Sequence, residues 1–179
     1  MKILITGGAG FIGSHLTDYL ISKKEIKKIV VLDNIKDGSL KNLKNSLKST
    51  KFSFFKCDIR NFKKVEKYFK KVDVVFHLAA LSDIVPSIEE PLEYLDTNIM
   101  GTVNILEAMR KNKVKKIIYA ASSSCYGIPK KFPTDEKTLI NPMYPYSFSK
   151  NVGEQTIQHW SKIYKIDFVS LRLFNVYGI

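Results

Sequence analysis

Six short apolar runs recur along the chain, each separated from the next by a longer, more polar stretch. Lys2 to Thr6, Ile29 to Leu32, Phe52 to Cys57, Asp73 to Leu78, Lys116 to Ala121 and Ile166 to Leu173 read as buried strands. Between them, apolar residues fall at helical spacing. Phe11, Ile12, His15, Leu16, Tyr19 and Leu20 mark a helix from Phe11 to Ile21, with Phe11 and Ile12 as helix core. Asn61 can cap a helix to about Phe69, with Phe62, Val65, Tyr68 and Phe69 on one face. Pro91 opens a long helix to about Arg110 that turns Leu92, Leu95, Ile99, Val103, Leu106 and Met109 inward. Pro145 starts another, to about Tyr164. Asn34 to Thr50 reads as a polar loop or short helix, and Gly127 to Tyr144 as a proline-rich loop. Strands alternating with helices predict an α/β fold: one doubly wound parallel sheet, order 3-2-1-4-5-6, with ligands at the strands' carboxyl ends.

The first strand runs into Gly7-Gly8-Ala9-Gly10-Phe11-Ile12-Gly13, which holds four of the nine glycines. A strand, a glycine turn and a helix start form a diphosphate site. Glycines let the phosphates approach, and the unpaired N–H groups of the helix N-terminus hold the anion. The spacing Gly-x-x-Gly-x-x-Gly is weak alone, but Asp33 closes the second strand twenty residues after Gly13. That is where a carboxylate accepts hydrogen bonds from an adenosine ribose. It favours NAD over NADP, with Lys36 near enough to keep NADP open.

Other suggestive residues also fall at strand ends. Asp58 ends the third strand, Ala79-Ala80-Leu81-Ser82 follow the fourth, Ser122-Ser123-Ser124 the fifth and Asn175 the sixth. Tyr146 and Lys150, four apart on the last helix, share a face. An ammonium roughly 5 Å from a phenol stabilises the phenolate by about 3 kcal/mol at an effective dielectric near 20, which predicts a general base working near neutral pH.

Composition narrows the class. A chain of 179 residues suits one domain. The net charge of +12 comes from lysines scattered over helix faces and ends, with no continuous basic stripe, so no nucleic-acid partner is expected. No run has the length of a membrane span, and no leader core follows Met1, so no membrane association is expected. Cys57 and Cys125 lack metal or redox spacing, and His15, His77 and His159 lack metal-ligand spacing. The reading is a metal-free, free-thiol, cytoplasmic protein. His77 is expected to orient the turn after the fourth strand, and Cys125 to fill space beside Ser122.

Six stretches carry a family resemblance: Gly7 to Leu16, His77-Leu78-Ala79-Ala80, Asp96-Thr97-Asn98-Ile99-Met100-Gly101-Thr102, Ser122 to Gly127, Tyr146-Ser147-Phe148-Ser149-Lys150 and Leu171 to Gly178. The chain resembles an extended short-chain dehydrogenase/reductase of the NAD-dependent epimerase/dehydratase family, across nearly its whole length. The resemblance implies a Rossmann domain over residues 1–179 with NAD as cofactor. It implies catalytic roles for Ser122, Tyr146 and Lys150. It places cofactor contacts at Gly7, Gly10, Phe11, Ile12, Gly13, Asp33, Asn34, Asp58, Ile59, Leu78, Ala79, Ala80, Asn98, Tyr146 and Lys150, with Asp58 reading the adenine amino group. It places substrate contacts at Ser82, Ser122, Ser123, Tyr146 and Asn175.

The 4,6-dehydratases of the family carry Asp-Glu directly after the catalytic Ser or Thr, where this chain has Ser123-Ser124. Some 4-epimerases carry a lysine where this chain has Ser82. The expected activity is UDP-sugar-type nucleotide-sugar 4-epimerisation. The alternatives are a decarboxylase, dehydratase or reductase of the same family, or a non-catalytic NAD- or RNA-binding module. The resemblance implies that the family continues into a substrate lobe, which is expected to lie outside residues 1–179. The expectation is therefore the cofactor half of a homodimeric enzyme, weakly active or inactive alone, with apolar surface uncovered around Phe174 to Tyr177.

Overall fold

The computed structural model describes residues 1–178. Its sheet has six parallel strands: β1 (Lys2–Thr6), β2 (Lys28–Asp33), β3 (Phe52–Lys56), β4 (Val74–His77), β5 (Lys116–Ser122) and β6 (Asp167–Leu173). The order is β3-β2-β1-β4-β5-β6, as the alternation predicts. It reverses direction between β1 and β4, which opens a crevice at the carboxyl ends of those strands. The helices are α1 (Phe11–Ile21), α2 (Phe62–Val65), α3 (Ile84–Glu89), α4 (Pro91–Leu95), α5 (Gly101–Lys111) and α6 (Pro145–Tyr164).

Alternation along each strand divides the core into two layers. Leu4, Val30, Leu32, Val75, Ile117 and Tyr119 face Ile105, Leu106, Met109 and Ile157 of α5 and α6. Ile3, Ile5, Ile29 and Val31 face the other side, with Ile26, Leu43 and Phe52. On that second side the cover thins toward β6. Val169 lies in one row with Ile118 and Phe76, yet is 47% exposed. Leu171, Phe174, Val176 and Tyr177 are exposed too, the uncovered apolar surface expected from the sequence.

Four local expectations change. The apolar face drawn for α1 is only partly its buried face: Leu16 and Leu20 pack against the core and Gly13, Ser14 and Thr17 are buried, while Phe11 and Ile12 are exposed instead of being helix core. Small residues win there because the helix must approach the glycine turn closely. The helix drawn from Asn61 to Phe69 is α-helical only over α2 and continues as a 3₁₀ turn, although Asn61 caps it as expected, accepting from the Lys64 N–H at 3.1 Å. The long helix from Pro91 to Arg110 is interrupted by a π-helical turn over Asp96–Met100. The wider turn changes the phase of the helical stripe, so Leu92 is exposed and Tyr94 is buried in its place. Finally, α3 forms where no helix was drawn.

Lysines are put to structural use at the floor of the sheet, where helices end and strands begin. The Lys2 ammonium donates to the carbonyls of Lys70 and, more distantly, Tyr68. Lys51 donates to those of Ile21 and Lys23 after α1, and Lys115 to that of Tyr164 at the end of α6. Cations here satisfy orphan carbonyls and oppose the helix dipole. Among the described residues, no helix is long and apolar enough to cross a membrane.

Candidate active site

The crevice has two lobes that meet at Gly7, Gly10, Phe11, Leu78, Ala80 and Ser82. The larger, about 680 Å³, is lined by Gly13, Ile12, Ser122, Ser123, Tyr146, Lys150 and Asn175. The smaller, about 250 Å³, is lined by Asp33, Asn34, Ile59 and Ala79. Further lining positions went unmarked as site residues, among them Ile84, Tyr126, Phe132 and Thr134 in the larger lobe and Gly38 and Thr97 in the smaller. Phe132 and Thr134 belong to the proline-rich loop, where no periodic signal marks which side chains fold back.

The glycine turn is shaped by backbone contact. Gly7 has φ +71°, and a Cβ there would lie 2.6 Å from the Ala79 nitrogen. A Cβ at Gly13 would lie 2.3 Å from the Gly7 carbonyl oxygen. Gly10 caps α1 without a side-chain hydrogen bond, which leaves the first N–H groups of the helix facing the crevice. Asp33 is held as a rigid acceptor, because its carboxylate takes the Ala9 N–H at 2.9 Å and the Ile35 N–H at 2.8 Å. A glycine cradle at a bare helix start, with a fixed carboxylate at one end and Tyr146 and Lys150 at the other, fits a dinucleotide.

Two expected contacts sit differently. Asp58 does not line the crevice. Arg60 grips its carboxylate in a fork, at 3.0 Å from Nε and 2.7 Å from Nη2, and this bond holds its pKa down to about 2. Asn98 is 1% exposed and lies beneath the site. Its amide accepts from the Leu81 N–H at 2.9 Å and donates to the Leu81 carbonyl at 3.0 Å and the Ser149 hydroxyl at 2.9 Å. Ser149 in turn donates to the Tyr146 carbonyl at 2.7 Å. The π turn thus aims one amide at both the turn after β4 and the helix that carries Tyr146.

His77 orients that turn through a proton chain whose directions are fixed. The Thr102 hydroxyl spends its hydrogen on the Asn98 carbonyl at 2.6 Å, so it accepts from His77 Nε2 at 2.9 Å. His77 Nδ1 therefore accepts from the Thr6 hydroxyl at 2.7 Å, and Thr6 accepts the Ala79 N–H at 3.3 Å. Burial holds the imidazole neutral, with a pKa of about 3, and the nearby Lys150 charge adds to the effect. Since the unfolded chain takes up this proton near pH 6.5 and the fold does not, stability should fall as pH drops from 6.5 toward 3. The slope from this one group is at most about 1.4 kcal/mol per pH unit. Urea unfolding of His77→Gln across that range should show the slope reduced; an identical slope would remove His77 from the acid response.

Tyr146 and Lys150 share the crevice, but their electrostatics reverse the expected sense. Burial raises the Tyr146 phenol, and Asp83 raises it further; only a hydrogen bond from Ser122 favours the phenolate. Lys150 is itself only 3% exposed, with its ammonium 4.3 Å from the centre of the Tyr119 ring, and burial lowers its pKa to about 7. Spacing along the helix reports the attraction within the pair and not its burial. In the crevice, desolvation penalises both charges and outweighs their attraction. Ser122 caps the 3₁₀ turn Ser123–Tyr126, accepting the Ser124 N–H at 3.2 Å and sharing a hydrogen bond with the Ser124 hydroxyl at 2.8 Å.

The family model for the NAD dependent epimerase/dehydratase family matches residues 3–179. The chain belongs to that family. A UDP-glucose 4-epimerase of Lactobacillus helveticus is 38% identical over 99% of this chain and 52% of its own length. A dTDP-D-glucose 4,6-dehydratase of Dictyostelium discoideum is also 38% identical, over 99% of this chain and 44% of its own. The crystal structure of the Thermus thermophilus UDP-glucose 4-epimerase in complex with NAD superposes with a TM-score of 0.90 at 34% identity, covering 99% of this chain and 56% of that one. This epimerase/dehydratase-family chain therefore spans about half the length of the relatives it matches.

Proposed function

We propose that this chain binds NAD and carries the catalytic half of a nucleotide-sugar 4-epimerase. The observation that supports this reading is the convergence of Ser122, Tyr146 and Lys150 on the crevice that begins at the glycine turn. In this reading Asp33 accepts the adenosine ribose hydroxyls, and the first N–H groups of α1 hold the diphosphate. Lys150 is assigned to the nicotinamide ribose. When bound, NAD supplies a hydride acceptor and donor and a positively charged ring, with no net redox change over a cycle. Tyr146 as phenolate removes the proton of the sugar 4-hydroxyl, and Ser122 donates a hydrogen bond to the oxygen that becomes a ketone. Because burial raises Tyr146, its phenolate form depends on positive charge brought alongside it. Ser123 and Ser124 stand where dehydration would call for an acid pair, which favours epimerisation over the dehydratase reading.

Mass spectrometry and chromatography of the product that the whole protein forms from a UDP-hexose test this assignment. An isobaric epimer is expected; a product lighter by water or carbon dioxide would overturn it. Tyr146→Phe should lower turnover by about 10³-fold while NAD binding persists. Unaltered turnover would exclude the phenol from the chemistry.

A further inference from the structure

One helical turn beyond Lys150, Glu154 carries a carboxylate in a residue only 5% exposed. Arg172 of β6 holds it in a fork, Nε to Oε2 at 3.1 Å and Nη2 to Oε1 at 3.0 Å. The third guanidinium nitrogen donates to the Tyr126 hydroxyl at 3.0 Å and the Glu136 carbonyl at 3.3 Å. Tyr126 closes the 3₁₀ turn that Ser122 caps. A single ion pair therefore ties together the helix bearing Tyr146 and Lys150, the edge strand, and the turn bearing Ser122.

A buried ion pair costs desolvation and is weak evidence of added stability. Its placement relative to Lys150 gives it another use. The titratable groups bearing on Lys150 are His77 from β4, Tyr119 from β5, and Tyr146 and Glu154 from α6. His77 is neutral at pH 7, and both phenols are raised by burial. Glu154 is the negative charge in this group.

We propose that Glu154 is a positioning residue for the Tyr146–Lys150 pair: its carboxylate, immobilised by the Arg172 fork, is the countercharge to the buried Lys150 ammonium. This rests on the reading of Tyr146 and Lys150 as the catalytic pair. Residues four apart on a helix are neighbours, so the carboxylate acts along α6 without a direct contact. The fork keeps that charge from relaxing toward solvent, a task a lysine at 172 would perform poorly because it offers no planar pair of donors. The direction of the Lys150 titration agrees, since burial lowers it and Glu154 raises it.

The test is an NMR titration of the chain labelled with ¹³C-lysine, without NAD, following the Lys150 Cε signal assigned by its absence in Lys150→Met. The parent should titrate near pH 7. Glu154→Gln keeps the length and one acceptor for Arg172, and should lower the proton affinity of Lys150 by about tenfold. Glu154→Asp keeps the charge and should restore most of that loss, a rescue that a purely structural role would not produce. Should Glu154→Gln not fold, the double variant Glu154→Gln with Arg172→Gln removes both charges of the pair, and a smaller downward shift is expected because the guanidinium that partly offset the carboxylate is removed with it. An unchanged Lys150 midpoint in a folded variant lacking the Glu154 carboxylate overturns the proposal. The two readings fail separately. A shifted midpoint with turnover indifferent to Tyr146 removes the catalytic reading, while an unshifted midpoint with Tyr146-dependent turnover removes only the role of Glu154.

Discussion

Gly13→Ala should bind NAD at least about 100-fold more weakly than the parent chain, a loss of about 2.7 kcal/mol. The added methyl has nowhere to go. Its three nearest neighbours are the Gly7 carbonyl oxygen at 2.3 Å, the Gly8 Cα at 2.6 Å and the Gly7 carbonyl carbon at 3.0 Å. All are backbone, so relief requires the turn itself to move. That turn is braced by the Gly7 N–H to the Leu32 carbonyl at 2.8 Å and by the Asp33 carboxylate on Ala9. Moving it displaces the helix N–H groups that would meet the diphosphate, and overpacking adds a stability cost of about 1–3 kcal/mol. Gly10→Ala is the control. A Cβ there meets only the Gly7 carbonyl oxygen, at 3.4 Å, so the fold should survive with little change in Tm. Calorimetric titration with NAD and thermal unfolding of both variants check this. Gly13→Ala with parental affinity would mean that the turn does not bind the cofactor.

Lys150→Met should make the protein more stable, by about 1–3 kcal/mol at pH 6, while abolishing the proposed chemistry. The side chain is 3% exposed and packs on the Tyr119 ring, so an unbranched apolar chain fits the same space without the desolvated charge. The pH dependence gives the idea its sign. Below pH 7 the lysine is charged in both states, and the parent bears the full cost of burying it. Between about 7 and the ordinary lysine value of 10.5 the unfolded chain holds the proton and the fold has released it. Parent stability then rises with pH, and the advantage of Lys150→Met narrows across that interval. Urea unfolding at pH 6 and pH 9 measures both effects. A destabilised variant, or a gap that widens with pH, would show that the ammonium is stabilised by its surroundings.

Much of this fold is written locally. Pro145 followed by a helical stripe to Tyr164 predicts α6 at both of its observed ends, because proline fixes the first turn and the apolar spacing holds to the last. Strand order follows from alternation and the right-handed crossover rule, with no single residue deciding it. Features that depend on a distant partner were not legible. Leu92 belongs to a helical stripe on paper, but a π turn interrupts that stripe, and Asn98 within the turn is bound to Leu81 and Ser149 from distant parts of the chain. Phe11 and Ile12 sit at helical spacing, yet only the close packing of α1 against the glycine turn shows that the small residues face inward.

The candidate site divides along the same line. Residue types and spacings determined by themselves that a strand-turn-helix cradle, a carboxylate at a strand end and a tyrosine-lysine pair would meet on one rim, because each signal spans a few residues and parallel strands all end on the same side. Tertiary structure decided the state of those groups. Burial, not sequence distance, sets which charges survive, and so both Lys150 and Tyr146 shift toward their uncharged forms. Packing also brought Arg60 onto Asp58 and Arg172 onto Glu154. The first pair is two residues apart and the second eighteen. In neither case does a local rule say that a guanidinium will claim the carboxylate, since that outcome depends on which neighbours the completed fold withdraws from water.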